Sequence, residues 1–370
     1  MRVTDAMLSN TLTRYLMRQN DGMYRVQEQI ATQKKVNRPS DDPAGMHRIL
    51  DYRNQIATID QYMDNINRAT IRLEFTEITL DAVDDVLGVA REISQQQGGG
   101  SAESRAFAAE QVRELYNQVL DLANSKIGNN YMFSGYQTDT PAFGHIVEVS
   151  AGAPGDLEFG LAADATNVTI EVVDDSGTVI NTIVPAGGGV DGVNTVAWGA
   201  AAVPADGLYR FSVTASNAGG DVVDYATYNG DSGMLRIIMG ENTELTLNAD
   251  GRDVFAPTGR VDTFELIADL VTALENDDTA EINRLKQQIT TAQTQVSEFR
   301  AASAPKMYQL ESAESFWFNY KPKMQQLLTE TENVDLNEAV MRLNQIDLAY
   351  QSTIATAGRI IQPNLVNFLK

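Results

Sequence analysis

The stretch LNEAVMRLNQIDLAYQSTIATAGRI, residues 336–360, decides the fold class, because its apolar positions recur every three or four residues. The side chains of this repeat are Leu336, Val340, Leu343, Ile346, Tyr350, Ala357 and Ile360. This spacing places them on one face of an α-helix, which cannot bury the stripe by itself. The sequence predicts a C-terminal helix that begins near Val334, ends near Ile361 and packs against another element.

A second stripe of the same kind lies near the start of the chain. Its members are Leu12, Leu16, Met23, Val26 and Ile30, within a helix predicted over residues 5–36. Chain ends usually fray, whereas here both ends carry an apolar face that needs a partner. We name the two stripes the terminal seams. We expect them to bind other copies of the chain or other proteins.

Between the two seams, a second helix is predicted over residues 43–95. Asp42 is a suitable N-cap, and Pro43 fits the first helical turn, where its missing N–H costs nothing. At 1.5 Å per residue the helix would be roughly 80 Å long. Helices of that length are rare in globular proteins, so coiled-coil packing is favoured.

Two more helical segments follow the same periodicity. Ser101 is a plausible N-cap for a third helix, which residues 128–130 end. Helices resume near Asp262, with an unbroken apolar stripe over residues 282–299. Pro305 and Pro322 are predicted to interrupt this helix as kinks.

Residues 145–256 change to the alternating pattern of β-strands. Strands are predicted over residues 167–173 and 208–214, and Asn229-Gly230 is predicted to turn a hairpin. The predicted fold class is therefore α+β. A long-helix, coiled-coil-like bundle formed by both terminal regions, 1–143 and 261–370, carries an inserted all-β domain over residues 144–260.

Composition excludes several classes of function. The net charge of −22 argues against a nucleic-acid partner, and no apolar run reaches the length of a membrane span. The chain has no cysteine and two histidines, His47 and His145, so we expect no metal site, no cofactor and no catalytic residues. The segment Gly230-Asp231-Ser232-Gly233 spells a serine-protease motif, but neither histidine has a motivated role beside it. The chain is predicted not to be an enzyme.

The N-terminal residues lack the continuous apolar stretch of a cleaved signal peptide, because Asp5, Asn10, Arg14 and Arg18 interrupt it. Composition leaves two alternatives open. The protein is either cytoplasmic or exported by a route that uses no such signal.

Several motifs resemble known families. Residues 40–45, SDDPAG, resemble the segment that joins the first two long helices in the flagellin superfamily. Residues 131–140, YMFSGYQTDT, resemble the segment after the third helix in the flagellar hook-filament junction family, also called hook-associated protein 3. Residues 228–233 and 253–255 resemble the β segment of that family.

The C-terminal end continues this resemblance at residues 335–344 and at the apolar close, residues 365–369. Leu365 and Phe368 therefore join the terminal seams. The resemblance covers roughly residues 1–143 and 224–370. The stretch between departs from it: residues 168–223 are similar to the Ig-like domain of the flagellar hook-capping protein, although Gly199-Ala200 follow Trp198 where that family usually has Asp-Gly. We expect an Ig-like module over about residues 165–223.

The resemblance implies a structural protein at the junction of hook and filament. It implies a ring of copies that contacts an adjoining hook-associated protein on one side and flagellin on the other. It also implies an export chaperone and release through the flagellar type III pathway, without a cleaved signal. Two alternatives remain: a flagellin-like filament subunit, and a surface adhesin that acts through the Ig-like insert.

Overall fold

A computed structural model describes residues 5–150, 153–174, 178–198, 207–218, 220–248 and 250–368. The helices are α1 Asp5–Thr32, α2 Pro43–Gln97, α3 Ala102–Ala123, α4 Gly251–Phe255, α5 Thr263–Glu275, α6 Thr279–Glu332 and α7 Leu336–Phe368. The strands lie between α3 and α4, so long helices flank a β-rich insert. The predicted α+β fold class is confirmed.

The strands are mostly short. They are β1 Lys126–Ile127, β2 Asn130–Tyr131, β3 Phe143–Gly144, β4 Ile146–Ser150, β5 Ala153–Pro154, β6 Leu157–Leu161, β7 Asn167–Val173, β8 Val179–Ile183, β9 Gly192–Val196, β10 Gly207–Asn217, β11 Gly220–Val222, β12 Asp224–Tyr225, β13 Thr227–Tyr228, β14 Arg236–Gly240 and β15 Thr243–Thr246. The strand predicted over residues 167–173 has the predicted bounds, and the one predicted over residues 208–214 lies within β10.

The chain divides into two compact units. Unit 1 comprises Met1–Met63 and Ser315–Lys370, and unit 2 comprises Asp64–Glu314. Both α2 and α6 contribute residues to each unit. The domain boundaries expected from the sequence at residues 143 and 261 stay predictions.

In unit 1, α1 packs against α7, and the segment after α1 is tied to the end of α6. The amide of Lys35 donates to the Glu332 carbonyl at 2.7 Å, and the amide of Val334 donates to the Gln33 carbonyl at 3.1 Å. Gln33 has a positive φ of 57°, so α1 ends at Thr32 and not at the predicted residue 36. Asp42 caps α2 as predicted, because its Oδ1 accepts the Gly45 amide at 2.9 Å.

The prolines near the C-terminus do not end helices. α6 continues through Pro305 and Pro322 without a break, and the kinks predicted at these prolines stay predictions. α7 continues beyond Pro363 to Phe368, past the predicted end near Ile361. A proline removes one backbone hydrogen bond, and the flanking turns, which keep theirs, can carry a long helix through that position.

Unit 2 contains a helical core built from α2, α3, α5 and α6. The heptad stripe that begins at Ile282 is buried through Val296, as the spacing predicts. Four aromatic rings close this core, at Phe133, Phe143, Phe255 and Phe264, with centroids of neighbouring rings 4.7 to 6.0 Å apart. The rings come from the loop after α3, from β3, from α4 and from α5, so they join segments far apart in sequence.

The insert is a two-sheet sandwich with its own core. One sheet has the order β5-β4-β10-β7-β8, with β11 beside β10, and the other has the order β12-β6-β9. The buried side chains of the two inner faces are Val147, Leu157, Phe159, Leu161, Ala165, Val168, Ile170, Val172, Trp198, Phe211, Val213, Ala215 and Val222. This packing is typical of Ig-like sandwiches. Strands β4 to β6 also take part, although they precede residue 165.

The predicted hairpin at Asn229-Gly230 is absent. β13 pairs with β3, and the Asn229 amide donates to the Ala142 carbonyl at 2.8 Å, so this segment joins the loop after α3. Tertiary hydrogen bonds thus override the local turn signal. The hairpin of this region is formed by β14 and β15.

Candidate assembly surface

The two terminal seams meet each other inside unit 1. Val26 on α1 is buried, and Leu12, Leu16, Met23 and Ile30 are half-buried. On α7, Ala357 is buried, and Leu343, Ile346 and Tyr350 are half-buried. Each stripe therefore finds its first partner within the same chain.

The remaining seam residues differ from these. Leu336 and Val340 are exposed at the start of α7. Ile360, Leu365 and Phe368 belong to α7, but their side chains lie outside the described part of the chain. The structure thus brings the middle of both seams together and leaves the N-terminal end of the α7 seam open.

Helices α1 and α7 approach each other at Gly22. A Cβ placed on Gly22 would lie 3.6 Å from Cδ1 of Ile346, an ordinary contact distance, so the helices touch at this point. A cleft of about 290 Å³ lies beside this contact, lined by Tyr15, Gln19, Gly22, Ile346 and Ala349 among others. Its walls are mostly apolar, which suits a side chain from a neighbouring helix better than a polar ligand.

Helices α1 and α7 each carry a second apolar face that was not predicted from the sequence. Met17 and Tyr24 on α1 are 62% and 63% exposed, and Met341 and Leu348 on α7 are 60% and 67% exposed. Members of each pair are seven residues apart. At 100° per residue they lie roughly opposite Val26 and Leu343 respectively. We name these four residues the outer pairs. Their seven-residue spacing was the available signal, but two residues are too few to stand out against a stripe of five or more.

An ion-pair cluster holds the segment after α1 against α2 and the end of α6. The carboxylate of Glu332 is buried, with Lys34 Nζ and an Arg53 guanidinium nitrogen each 2.6 Å from its Oε1. Burial by itself would raise the pKa of Glu332, but the hydrogen bonds from Lys34 and Arg53 outweigh it and lower the pKa. Glu332 is therefore ionised at neutral pH and ties α6 to α2 and to the segment after α1.

The described residues hold no cluster of three or more histidine or carboxylate side chains arranged to bind a metal ion. In the same residues, no helix is long and apolar enough to cross a bilayer. The segment 230–233, which spells a protease motif, lies against the loop after α3: the Asp231 amide donates to the Ser134 carbonyl at 3.2 Å, and Asp231 Oδ1 accepts the Tyr136 amide at 2.7 Å. These contacts give the segment a structural role.

Three of the motifs that carry the family resemblance, at residues 131–140, 228–233 and 253–255, lie together in unit 2. The Tyr228 hydroxyl donates to the Phe133 carbonyl at 3.0 Å, and the Gly251 amide donates to the same carbonyl at 3.2 Å. The Phe133 and Phe255 rings meet at 5.3 Å. Residues 131–140, 228–233 and 250–255 thus form one packed cluster.

Two family models match the chain. Residues 3–138 match the bacterial flagellin N-terminal helical region, and residues 144–219 match the FlgD Ig-like domain. The second match includes β4 to β6, in agreement with the observed sandwich.

Among curated relatives, the flagellar hook-associated protein 3 of Salmonella typhimurium is 33% identical over 119 residues, which is 31% of this chain and 38% of the relative. The flagellar filament 30.7 kDa core protein of Treponema maltophilum is 29% identical over 161 residues, 41% of this chain and 55% of the relative. The alignments therefore span less than two thirds of either relative.

A solved structure assigned as a flagellar hook-associated protein from Vibrio parahaemolyticus shares the fold. Its TM-score is 0.54 at 15% identity, over 79% of this chain and 100% of that chain. The resemblance inferred from the motifs at residues 40–45 and 131–140 is confirmed: the chain joins a bacterial flagellin N-terminal helical region to a FlgD-type Ig-like domain, and about a third of its length is similar to flagellar hook-associated protein 3.

Proposed function

We propose that the chain is a structural subunit, not an enzyme, that joins the hook to the filament of a bacterial flagellum. The homology to hook-associated protein 3 supports this assignment. The observation that carries the assembly part of the proposal is the pairing of α1 with α7, two helices from opposite ends of the chain that still expose apolar side chains on their outer faces.

In this proposal the outer pairs and the open end of the α7 seam bind neighbouring subunits. Copies of the chain form a ring, which contacts an adjoining hook-associated protein on one side and flagellin on the other. Pairing of α1 with α7 leaves each helix only half-buried, so burial by neighbours adds stabilisation at about 25 cal/mol per Å² of apolar surface. The terminal regions therefore become firmly ordered on assembly.

The same proposal places the protein outside the cell, in the flagellum. Export would follow the flagellar type III route without a cleaved signal, and an export chaperone would cover the C-terminal seam beforehand. The acidic sandwich would face solvent, since residues 145–256 carry sixteen acidic side chains and three basic ones.

Deletion of the gene tests the proposal. We expect cells with bare hooks, flagellin shed into the medium, and recovery of filaments when the wild-type gene is restored. Normal filaments in the deletion strain would contradict the proposal and favour the adhesin alternative. Loss of flagellin from both cells and medium would identify the chain as the filament subunit.

A further inference from the structure

The chain passes between the helical core and the sandwich at two neighbouring points. On the helical side, β3 pairs with β13, so Gly144 lies opposite Thr227. On the sandwich side, β4 begins at Ile146 and β12 begins at Asp224. His145 therefore occupies the outgoing crossing, and Asp224 occupies the returning one.

The side chains at the two crossings contact each other. His145 Nδ1 lies 3.5 Å from Asp224 Oδ2, and His145 Nε2 lies 3.0 Å from the carbonyl oxygen of Tyr225. Both ring nitrogens thus face acceptors. A neutral imidazole carries one N–H and can satisfy only one of them, whereas the imidazolium ion donates to both. The geometry suits a protonated His145.

The other cation near the pair, Arg113, is engaged with a different carboxylate. The pair borders a cleft of about 360 Å³, to which α3 contributes Arg113, Tyr116 and Asn117. Arg113 is already paired with Glu275 at the end of α5. The Tyr116 hydroxyl accepts the Ala226 amide at 2.7 Å, and β10 contributes only the uncharged ring of Phe211, 5.2 Å from the imidazole.

The negative partner is only partly hydrated, because 35% of the Asp224 side chain is exposed. Burial raises the pKa of Asp224, and His145 and then Arg113 act in the opposite direction without cancelling it. Burial also raises the pKa of Tyr116, to which Asp224 and Asp262 at the start of α5 contribute. A carboxylate in such a cleft is costly once its cation is removed.

We propose that His145 and Asp224 form a proton-dependent clasp that holds the two chain crossings together and thereby couples the sandwich to the helical core. When His145 carries a proton, the clasp is closed. When His145 loses its proton, Asp224 is left without its cation, and the crossings open to hydrate it. The inference is independent of the proposed role at the hook-filament junction.

The two histidines of the chain make this testable by NMR on the full-length protein. His47 pairs with Asp51 one turn away on α2, and its side chain is 79% exposed. It serves as the control histidine, because it lies far from the two crossings in sequence. We expect hydrogen-exchange protection of the Ala226 amide to fall about tenfold between pH 5.5 and 8, after correction for intrinsic exchange.

Three variants complete the test. His145→Asn should lower Ala226 protection at pH 5.5 and remove its pH dependence. Asp224→Asn removes the carboxylate, so Ala226 protection should stay high at pH 8. His47→Asn should behave as wild type. Constant Ala226 protection across this pH range in the wild type, or loss of that protection at pH 8 in Asp224→Asn, would overturn the clasp. The second result remains informative if His145→Asn does not fold.

Discussion

At the scale of single residues, Gly135 and Gly128 share a backbone conformation but differ in the space around them. Both have left-handed backbones, with φ of 68° and 63°. A Cβ on Gly135 would lie 2.1 Å from Asp231 Oδ1 and 2.3 Å from the Asp231 carbonyl oxygen, whereas a Cβ on Gly128 would meet nothing within 4 Å. Glycine is needed at the first position for space as well as for conformation.

Gly135→Ala should therefore destabilise unit 2 more than Gly128→Ala. The left-handed conformation alone costs about 1–2 kcal/mol for alanine. The contact with Asp231 should add at least about 1 kcal/mol at Gly135, because the backbone of one segment must move. Denaturant unfolding of both variants gives the comparison. Equal losses would mean that residues 131–140 and 228–233 are not packed as described.

Asp269 on α5 makes the stability of the fold depend on pH. Burial, followed by the Glu265 and Asp191 carboxylates, raises its pKa to about 7. Since the folded pKa lies above the unfolded value of about 3.9, the contribution of Asp269 to stability is complete below pH 4 and is lost as the pH rises through 7.

Asp269→Asn should accordingly be more stable than wild type at pH 8, by about 1–2 kcal/mol after allowance for its partial exposure. The advantage should shrink towards pH 5. Unfolding free energies at the two pH values measure this, with Asp253→Asn, an exposed position on α4, as the matched control. A pH-independent difference would contradict the assigned cause.

At the scale of elements, sequence periodicity located the helices but did not show which face of each helix is buried. α2 carries apolar residues on two opposite sides: Leu80 and Leu87 are fully buried, while Ile71 and Ile78 are exposed. All four fit helical spacing, so only the neighbouring elements distinguish core from surface. The same holds for α1 and α7, where the seams pack on each other and the outer pairs remain open.

A pair of double variants on α7 separates the two faces. Leu343→Asp with Ile346→Asp places charges in the α1–α7 contact and should abolish both helix pairing and assembly, leaving the sandwich folded. Met341→Asp with Leu348→Asp should keep α1 and α7 paired but still prevent assembly. Hydrogen exchange reports pairing, and sedimentation reports assembly. Assembly by the second variant would exclude the outer pairs as contacts between subunits.

At the scale of the whole molecule, the helical core and the sandwich have separate hydrophobic cores. The chain enters and leaves the sandwich at adjacent points, because His145 and Asp224 are in contact. The helical core of unit 2 includes Tyr225 and Ala226, which follow Asp224, and from residues 146–223 it is contacted by the partly buried Ala162 and Val223.

Replacement of residues 146–223 by a three-residue Gly-Ser-Gly linker should therefore leave a cooperative helical fold. We expect the melting temperature followed by far-UV circular dichroism to remain within about 5 °C of the helical transition in the full chain. A variant that melts without cooperativity would show that the sandwich stabilises the helices. Tested in the deletion strain, the same variant would also reveal whether filament attachment needs the Ig-like insert.

Local pattern was enough to specify the long helices, the strands at residues 167–173 and 208–214, the caps at Asp42 and Ser101, and the family resemblance, since each depends on spacing or on short contiguous motifs. Contacts distant in sequence decided the rest. They ended α1 at Thr32, replaced the Asn229-Gly230 hairpin by a strand pair, and brought His145 to Asp224. Hydrogen bonds and buried surface between remote segments outweigh local preferences of about 1 kcal/mol, so these features follow only from the folded chain.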